Sequence, residues 1–387
     1  MKHLITLLIA VATAAGQCET LTTVAPDDPM IDFAGYVHKE LIAAPDNPDR
    51  KLVRFDRTLD MPGTGYRWDN PGVCIRFRTD ATTIEAFLNY NELHQSKTAR
   101  NGAGACSVDG VIKPEHAFQS QARSVLRSPE LVRVDLSPGR VQAPVFHDYE
   151  IFLPYADSVD FAGLKVNPEA RFEPMKARAA TRYVAYGDSI TQGFAASTID
   201  NTYPFLIGKA KGWETIDLGF GGRSSFPAPA DADVLASLKP EVVTVLLGVN
   251  DWMGNVPLER YGANMEKFLS TLRAALPQTS VYLLTPLWVP PNWSHPSGQE
   301  NDLDFYRQIL RDIVAAGNDP NLHLIEGPDL IDPDASLFDR VAVHPNDDGF
   351  AMMAERLATQ MEEPASGDPS RGAAEDAAGK GEPVVRQ

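Results

Sequence analysis

Ser189 stands where the apolar run Tyr183-Val184-Ala185-Tyr186 stops in Gly187-Asp188-Ser189, followed by Ile190-Thr191-Gln192-Gly193. An apolar run that ends in turn-forming and helix-starting residues predicts a parallel strand with a hydroxyl at its C-terminal edge. Open α/β sheets bind ligands at that edge. A serine hydroxyl is a poor nucleophile at neutral pH and needs an adjacent base. Of the eight histidines, His344 lies in Val343-His344-Pro345-Asn346-Asp347-Asp348-Gly349, a loop leading into the last predicted helix. Loops on a rigid scaffold are where catalytic groups concentrate. Two more blocks follow predicted strands: Asp217-Leu218-Gly219-Phe220-Gly221-Gly222-Arg223 and Gly248-Val249-Asn250-Asp251. Each block has a plain structural explanation, as a helix-capping serine, a glycine turn, a turn asparagine or an exposed histidine. Their order in one chain is what points to acyl-transfer chemistry.

The four blocks together resemble the SGNH (GDSL-type) hydrolase family of esterases and lipases, over roughly residues 180–362. The resemblance implies that Ser189 is the nucleophile and His344 the base. It also implies an oxyanion hole built from the N–H groups of Ser189 and Gly222 and the side-chain amide of Asn250. Gly222 is favoured over Gly221 because it is the last glycine of its block. Asp188 is expected to stabilise its turn, and Asp251 its loop, rather than take part in catalysis. The family places an aspartate three residues before the histidine, and here that position is Val341. Asp339 would serve as third catalytic residue if the loop bulged by two residues. The alternatives are a Ser–His dyad with a backbone carbonyl orienting the ring, or a degraded site. Asp332 and Asp334 are remoter candidates. No cofactor is implied, and no Cys or His cluster has metal-site spacing. There is no G-x-S-x-G elbow, P-loop, H-E-x-x-H or dinucleotide fingerprint.

Trp252, Trp288, Trp293 and His295 lie in or after loops at the same predicted sheet edge. Either their faces stack on sugar rings or they cover the core. Tyr186 and Phe194 are expected in the core.

The catalytic elements occupy about half of the 387 residues, and the texture changes along the chain. Residues 1–16 read as a secretory signal peptide: Met1-Lys2-His3, an apolar core and small residues. The expected location is secreted or periplasmic, with no membrane span once the signal is removed. Gln17 makes a poor lipidation site of Cys18. Residues 17–30 read as a linker. From 31 to 175, short strand patterns at 73–78, 83–90, 131–136 and 149–153 alternate with turn signals at Asn101-Gly102, Asp109-Gly110 and Pro138-Gly139. This predicts a β-sandwich or jelly-roll accessory domain. Cys74 and Cys106 are either a disulfide or two buried thiols.

From 180 to 362, strand patterns at 183–186, 215–218, 242–247, 281–285 and 322–325 alternate with helix patterns near 202–211, 230–238, 258–275, 301–316 and 348–361. Such alternation predicts a doubly wound parallel α/β sheet. The resemblance implies the flavodoxin-like three-layer form. Residues 363–387 are too polar to bury a core and are expected to be disordered. The net charge of −17 argues against nucleic acid and anionic membrane surfaces as partners.

The reading is an exported, cofactor-independent serine esterase that removes short acyl groups, acetyl above all, from carbohydrate. A short-chain lipase, arylesterase or lysophospholipase is the runner-up. An acyltransferase, or a non-catalytic glycan-binding protein with a relic site, are the other classes.

Overall fold

The computed structural model describes residues 20–59, 66–91, 102–119, 130–138, 144–226, 228–291, 302–339 and 343–364. The expected signal peptide, Cys18, Asn101, Gly139, Trp293 and His295 lie outside the described residues, as does the tail beyond residue 364.

The first half folds as two antiparallel sheets packed face to face. One has the order His38–Ala44, Asn47–Asp56, Val159–Val166, Ile84–Tyr90, Glu130–Asp135, with Thr22–Val24 also paired to Val159–Val166. The other runs Phe172–Glu173, Cys74–Thr79, His147–Phe152, Ala105–Val108, Val111–Ile112, with Asp32–Ala34 added to Cys74–Thr79. Their inner faces meet in one apolar cluster that includes Phe33, Phe55, Ile75, Phe77, Leu88, Ile151 and Phe161. The linker expectation needs correction, because Thr22–Val24 forms ladder bonds and Val24 is buried. Asp109 and Gly110, at φ 52° and 77°, close the hairpin between Ala105–Val108 and Val111–Ile112. Two consecutive positive φ angles fit the right-handed twist of a two-residue hairpin. Cys74 and Cys106 are buried free thiols. Their strands are separated by His147–Phe152, so two strand spacings of about 4.8 Å keep the sulfurs apart.

Arg76, on Cys74–Thr79, is buried and paired with Asp32 at 2.7 Å and Glu150 at 3.2 Å. The outer face of the second sheet is covered by the following domain. Arg178, in the connecting segment, reaches both Asp32 at 3.4 Å and Glu214 at 3.4 Å, and Gly35 N–H donates to Glu214.

The second half is a five-stranded parallel sheet. Its strands are β1 (Arg182–Gly187), β2 (Glu214–Gly219), β3 (Val242–Leu246), β4 (Ser280–Leu284) and β5 (Leu322–Ile325), in the order β2-β1-β3-β4-β5. This is the flavodoxin-like order expected, with its switch point between β1 and β3. Alternate residues of β1 face opposite layers. Tyr183 and Ala185 join a cluster with α2 (Tyr203–Lys211) and α8 (Asp347–Gln360). Val184 and Tyr186 join one with α3 (Ala228–Ser237), α5 (Leu258–Ala275) and α6 (Leu303–Gly317). Three short helices escape the sequence pattern because each is about one turn: α1 (Ser189–Gln192), α4 (Val249–Met253) and α7 (Gly327–Leu330). Glu363 receives a hydrogen bond from Trp213 Nε1 at 3.3 Å, so the expected tail is still docked at its first residue.

Candidate active site

β1 ends at Gly187, where a Cβ would lie 2.1 Å from Thr191 Oγ1 and 2.6 Å from the Leu246 carbonyl. Only glycine lets the chain turn that tightly between β3 and the helix it starts. Asp188 then caps α1, its carboxylate accepting from Ile190 N–H at 2.8 Å. That is the turn-stabilising role expected of it. Burial pushes the Asp188 carboxyl up to about 7.

Ser189 is the first residue of α1 and is buried. Its N–H has no acceptor within the helix, as for any first helical residue. Its Oγ lies 2.7 Å from His344 Nε2. The His344 loop is fastened by backbone bonds: Asp339 N–H to His344 O at 2.8 Å, and Asn346 N–H to Leu337 O at 2.9 Å. Asn346 caps α8 through Gly349 N–H and donates to Ser336 O at 2.7 Å. The Phe194 ring lies against the imidazole, centroids 5.5 Å apart. Phe194 was expected in the core, but it is only half-buried and walls the base.

Of the acidic candidates, Asp339 meets His344 through its backbone, its N–H donating to the His344 carbonyl at 2.8 Å. Phe338 and Pro345 form a β-bridge on either side of the histidine loop. Asp332 pairs with Arg356 at 2.8 Å, and Asp334 caps Ser336 N–H at 2.8 Å.

The glycine loop after β2 is tied down on both sides of Gly222. Before it, Gly221 N–H donates to Gln192 Oε1 at 2.8 Å, so that N–H is already spent. After it, the Arg223 carbonyl accepts from Asn250 Nδ2 at 2.9 Å. Gly222 itself has φ 78°, the left-handed region that favours glycine. It is exposed, and its N–H has no acceptor among the described residues. The Asn250 bond fixes the amide plane and leaves that side chain one hydrogen for another oxygen. Asn250 lies in α4, and the next residue, Asp251, accepts from Ser225 N–H at 2.9 Å and Ser225 Oγ at 2.6 Å. Asp251 therefore supports the loop, as expected, and burial raises its carboxyl. Arg223 is buried against Asp231, which also accepts from Tyr186 Oη at 2.5 Å.

Trp252 and Trp288 are half-buried and pack against the core beside β3 and β4. Trp288 lies 5.6 Å from Phe338, centroid to centroid, beside the histidine loop. Among the described residues, no group of three or more His, Cys, Asp or Glu is placed to hold a metal ion.

The sequence reading missed Gln192, which reaches Gly221, and the first-half residues that reach the site. Asp69 Oδ2 accepts from Gln192 Nε2 at 2.7 Å, and Arg57 Nη1 donates to Gly219 O at 2.6 Å. Gln192 sits inside the serine block and was visible there. Nothing in local sequence marks Arg57 or Asp69.

The observed arrangement is a serine hydroxyl bonded to an imidazole at the C-terminal edge of the sheet. Residues 185–352 match the GDSL-like Lipase/Acylhydrolase family. Over most of the chain, solved structures have a similar fold. The salicylyl-acyltransferase SsfX3 from a tetracycline biosynthetic pathway superposes with TM-score 0.69 at 18% identity, covering 93% of this chain and 98% of that one. A family two carbohydrate esterase from Cellvibrio japonicus gives 0.61 at 15%, covering 88% and 97%. The acetyl xylan esterase Est2A from the rumen bacterium Butyrivibrio proteoclasticus gives 0.57 at 12%, covering 88% and 98%. At these identities the likeness is one of fold. No curated protein matches the sequence.

Proposed function

We propose, on the premise that residues 185–352 form a serine ester hydrolase domain of the GDSL-like family, that the protein is an exported esterase removing short acyl groups, chiefly acetyl, from carbohydrate. The observation that carries the reading is the 2.7 Å approach of Ser189 Oγ to His344 Nε2. In this reading His344 Nε2 takes the Ser189 proton as Oγ attacks the ester carbonyl. The tetrahedral oxyanion is held by the N–H groups of Ser189 and Gly222 and by the Asn250 amide. His344 then protonates the leaving alcohol. It next activates the water that hydrolyses the acyl-enzyme.

Carbohydrate as substrate is supported by the shared two-part fold with the Cellvibrio carbohydrate esterase and the acetyl xylan esterase. The aromatic edges of Trp252 and Trp288 near the site agree with it. Export, to a secreted or periplasmic location, is supported by the composition of residues 1–16. The similarity to an acyltransferase favours a second reading, in which an alcohol other than water accepts the acyl group from Ser189.

The test is hydrolysis of p-nitrophenyl acetate and of acetylated xylo-oligosaccharides by the purified protein beside Ser189→Ala. Turnover should fall on the order of 10³-fold or more in the variant. Equal rates from the two proteins would sink the reading. A sugar acceptor that diverts the acyl group from water would favour the transferase.

A further inference from the structure

The side chain of Gln192 ends the one-turn helix that Ser189 begins, and it is fully buried. Its amide makes three hydrogen bonds: Nε2 to Asp69 Oδ2 at 2.7 Å, Nε2 to the Tyr155 carbonyl at 2.8 Å, and Oε1 from Gly221 N–H at 2.8 Å. Two of the three partners, Asp69 and Tyr155, belong to the β-sandwich half. The third is the residue before Gly222. Arg57, also from the sandwich and buried, grips the same loop one turn earlier. Its Nη1 donates to Gly219 O at 2.6 Å, its Nε and Nη2 donate to Tyr66 O, and its guanidinium lies 3.8 Å over the Phe220 ring. Loop residues 219, 220 and 221 are thus each held directly or at one remove by the sandwich.

Simple domain adhesion does not need this arrangement. Adhesion is already supplied further down the interface by Arg178, Glu214, Arg76 and Asp32. Burying an arginine and a carboxylate costs free energy unless each is fully bonded. Here one Arg57 bond goes to the loop at Gly219, and Asp69 bonds the Gln192 amide that holds Gly221. A displacement of an oxyanion donor by about 1 Å is enough to cost two orders of magnitude in rate. The loop that carries Gly222 is short, glycine-rich and without side chains of its own to pack, apart from Phe220.

We propose that the sandwich is a working part of the active site. Asp69, through Gln192, and Arg57 hold residues 219–222 so that Gly222 N–H is aimed at the developing oxyanion, and their loss lowers kcat rather than substrate affinity. These are positioning residues, since none of them touches the substrate. The inference rests on the esterase reading of Ser189, and its test separates the two.

Steady-state hydrolysis of p-nitrophenyl acetate and hydrogen–deuterium exchange of peptides covering 219–226 would be measured for the full chain. The variants are Gln192→Met, Arg57→Met, Asp69→Ala, Asp69→Asn, and Glu214→Gln as an interface change away from the loop. The expected result is a fall in kcat of about tenfold or more for Gln192→Met, Arg57→Met and Asp69→Ala, with KM within about twofold. Loop exchange should quicken in the same three. Asp69→Asn keeps an acceptor for Gln192 and should recover most of the rate, and Glu214→Gln should keep kcat. If Gln192→Met does not fold, the Asp69 pair decides. Unchanged loop exchange overturns the proposal, as does quickened exchange with kcat retained, or an equal loss of kcat in Glu214→Gln. A wild-type rate no higher than that of Ser189→Ala sinks the esterase reading instead. The exchange measurement would then still decide whether the sandwich holds the loop.

Discussion

In the proposed reading, Asn250 divides its bonds between structure and chemistry. One amide hydrogen is anchored on the Arg223 carbonyl, which orients the other. Asn250→Ala should therefore lower kcat by about 10²–10³ with little change in KM, because an oxyanion donor acts in the transition state and not on the bound ester. Steady-state kinetics checks this, and a loss confined to KM would contradict it. The blocks that hold the serine, the histidine, the asparagine and the last glycine can be picked out in the sequence because each is short and contiguous. The structure brings Ser189 and His344 within a hydrogen bond across 155 residues of sequence. Asp339 lies five positions before the histidine in sequence, and its N–H donates to the His344 carbonyl. Phe194 was misread because a helix-flanking aromatic looks the same in sequence whether it fills a core or walls an imidazole.

At the scale of elements, β2 carries an unusual buried acid. Asp217 accepts from Gly219 N–H at 2.7 Å through one oxygen, and its other oxygen is buried without a partner. Burial pushes its carboxyl up to about 8. The folded protein therefore holds this proton across a range in which the unfolded chain has released it. The stability that the neutral form contributes is complete below about pH 4 and is lost as pH rises through about 8. Asp188, pushed up to about 7, acts in the same direction. Asp217→Asn keeps the acceptor for Gly219 and cannot ionise. Its melting temperature should fall less than that of the wild type between pH 5 and pH 9, by a few degrees in scanning calorimetry. A wild-type and a variant that fall in parallel would overturn this. The five strands and five long helices of this half were readable from periodicity because each is long enough to repeat its pattern. α1, α4 and α7 were not, since a single turn has no period to detect.

For the whole molecule, the sequence suggested two units joined in series, with the first as an accessory. The texture change near residue 180 does mark where the topology changes from antiparallel to parallel. It says nothing of the contact between the halves, because that contact is made by residues scattered along the chain, among them Arg178 on Glu214, Arg57 on Gly219 and Phe152 on Phe205. With Arg57 and Asp69 buried at this junction and bonded to Gly219 and Gln192, neither half has a complete set of hydrogen bonds alone. Thermal unfolding should then be one cooperative transition. A single calorimetric peak, coincident with loss of esterase activity, is the expected outcome, and two separated peaks would contradict it.

The buried outer face of the second sheet has a consequence for how such a chain can change over time. A binding module that hangs from a flexible tether can be traded for another by recombination, since its removal leaves its neighbour intact. Here a crossover near residue 180 would strand Glu214 without Arg178 or leave Gly219 without Arg57, whichever side of the join was replaced. The two halves must be inherited as a pair. A substitution in the sandwich that shifts Asp69 would have to be answered within the hydrolase half, at Gln192 or Gly221, before the combination was tolerated.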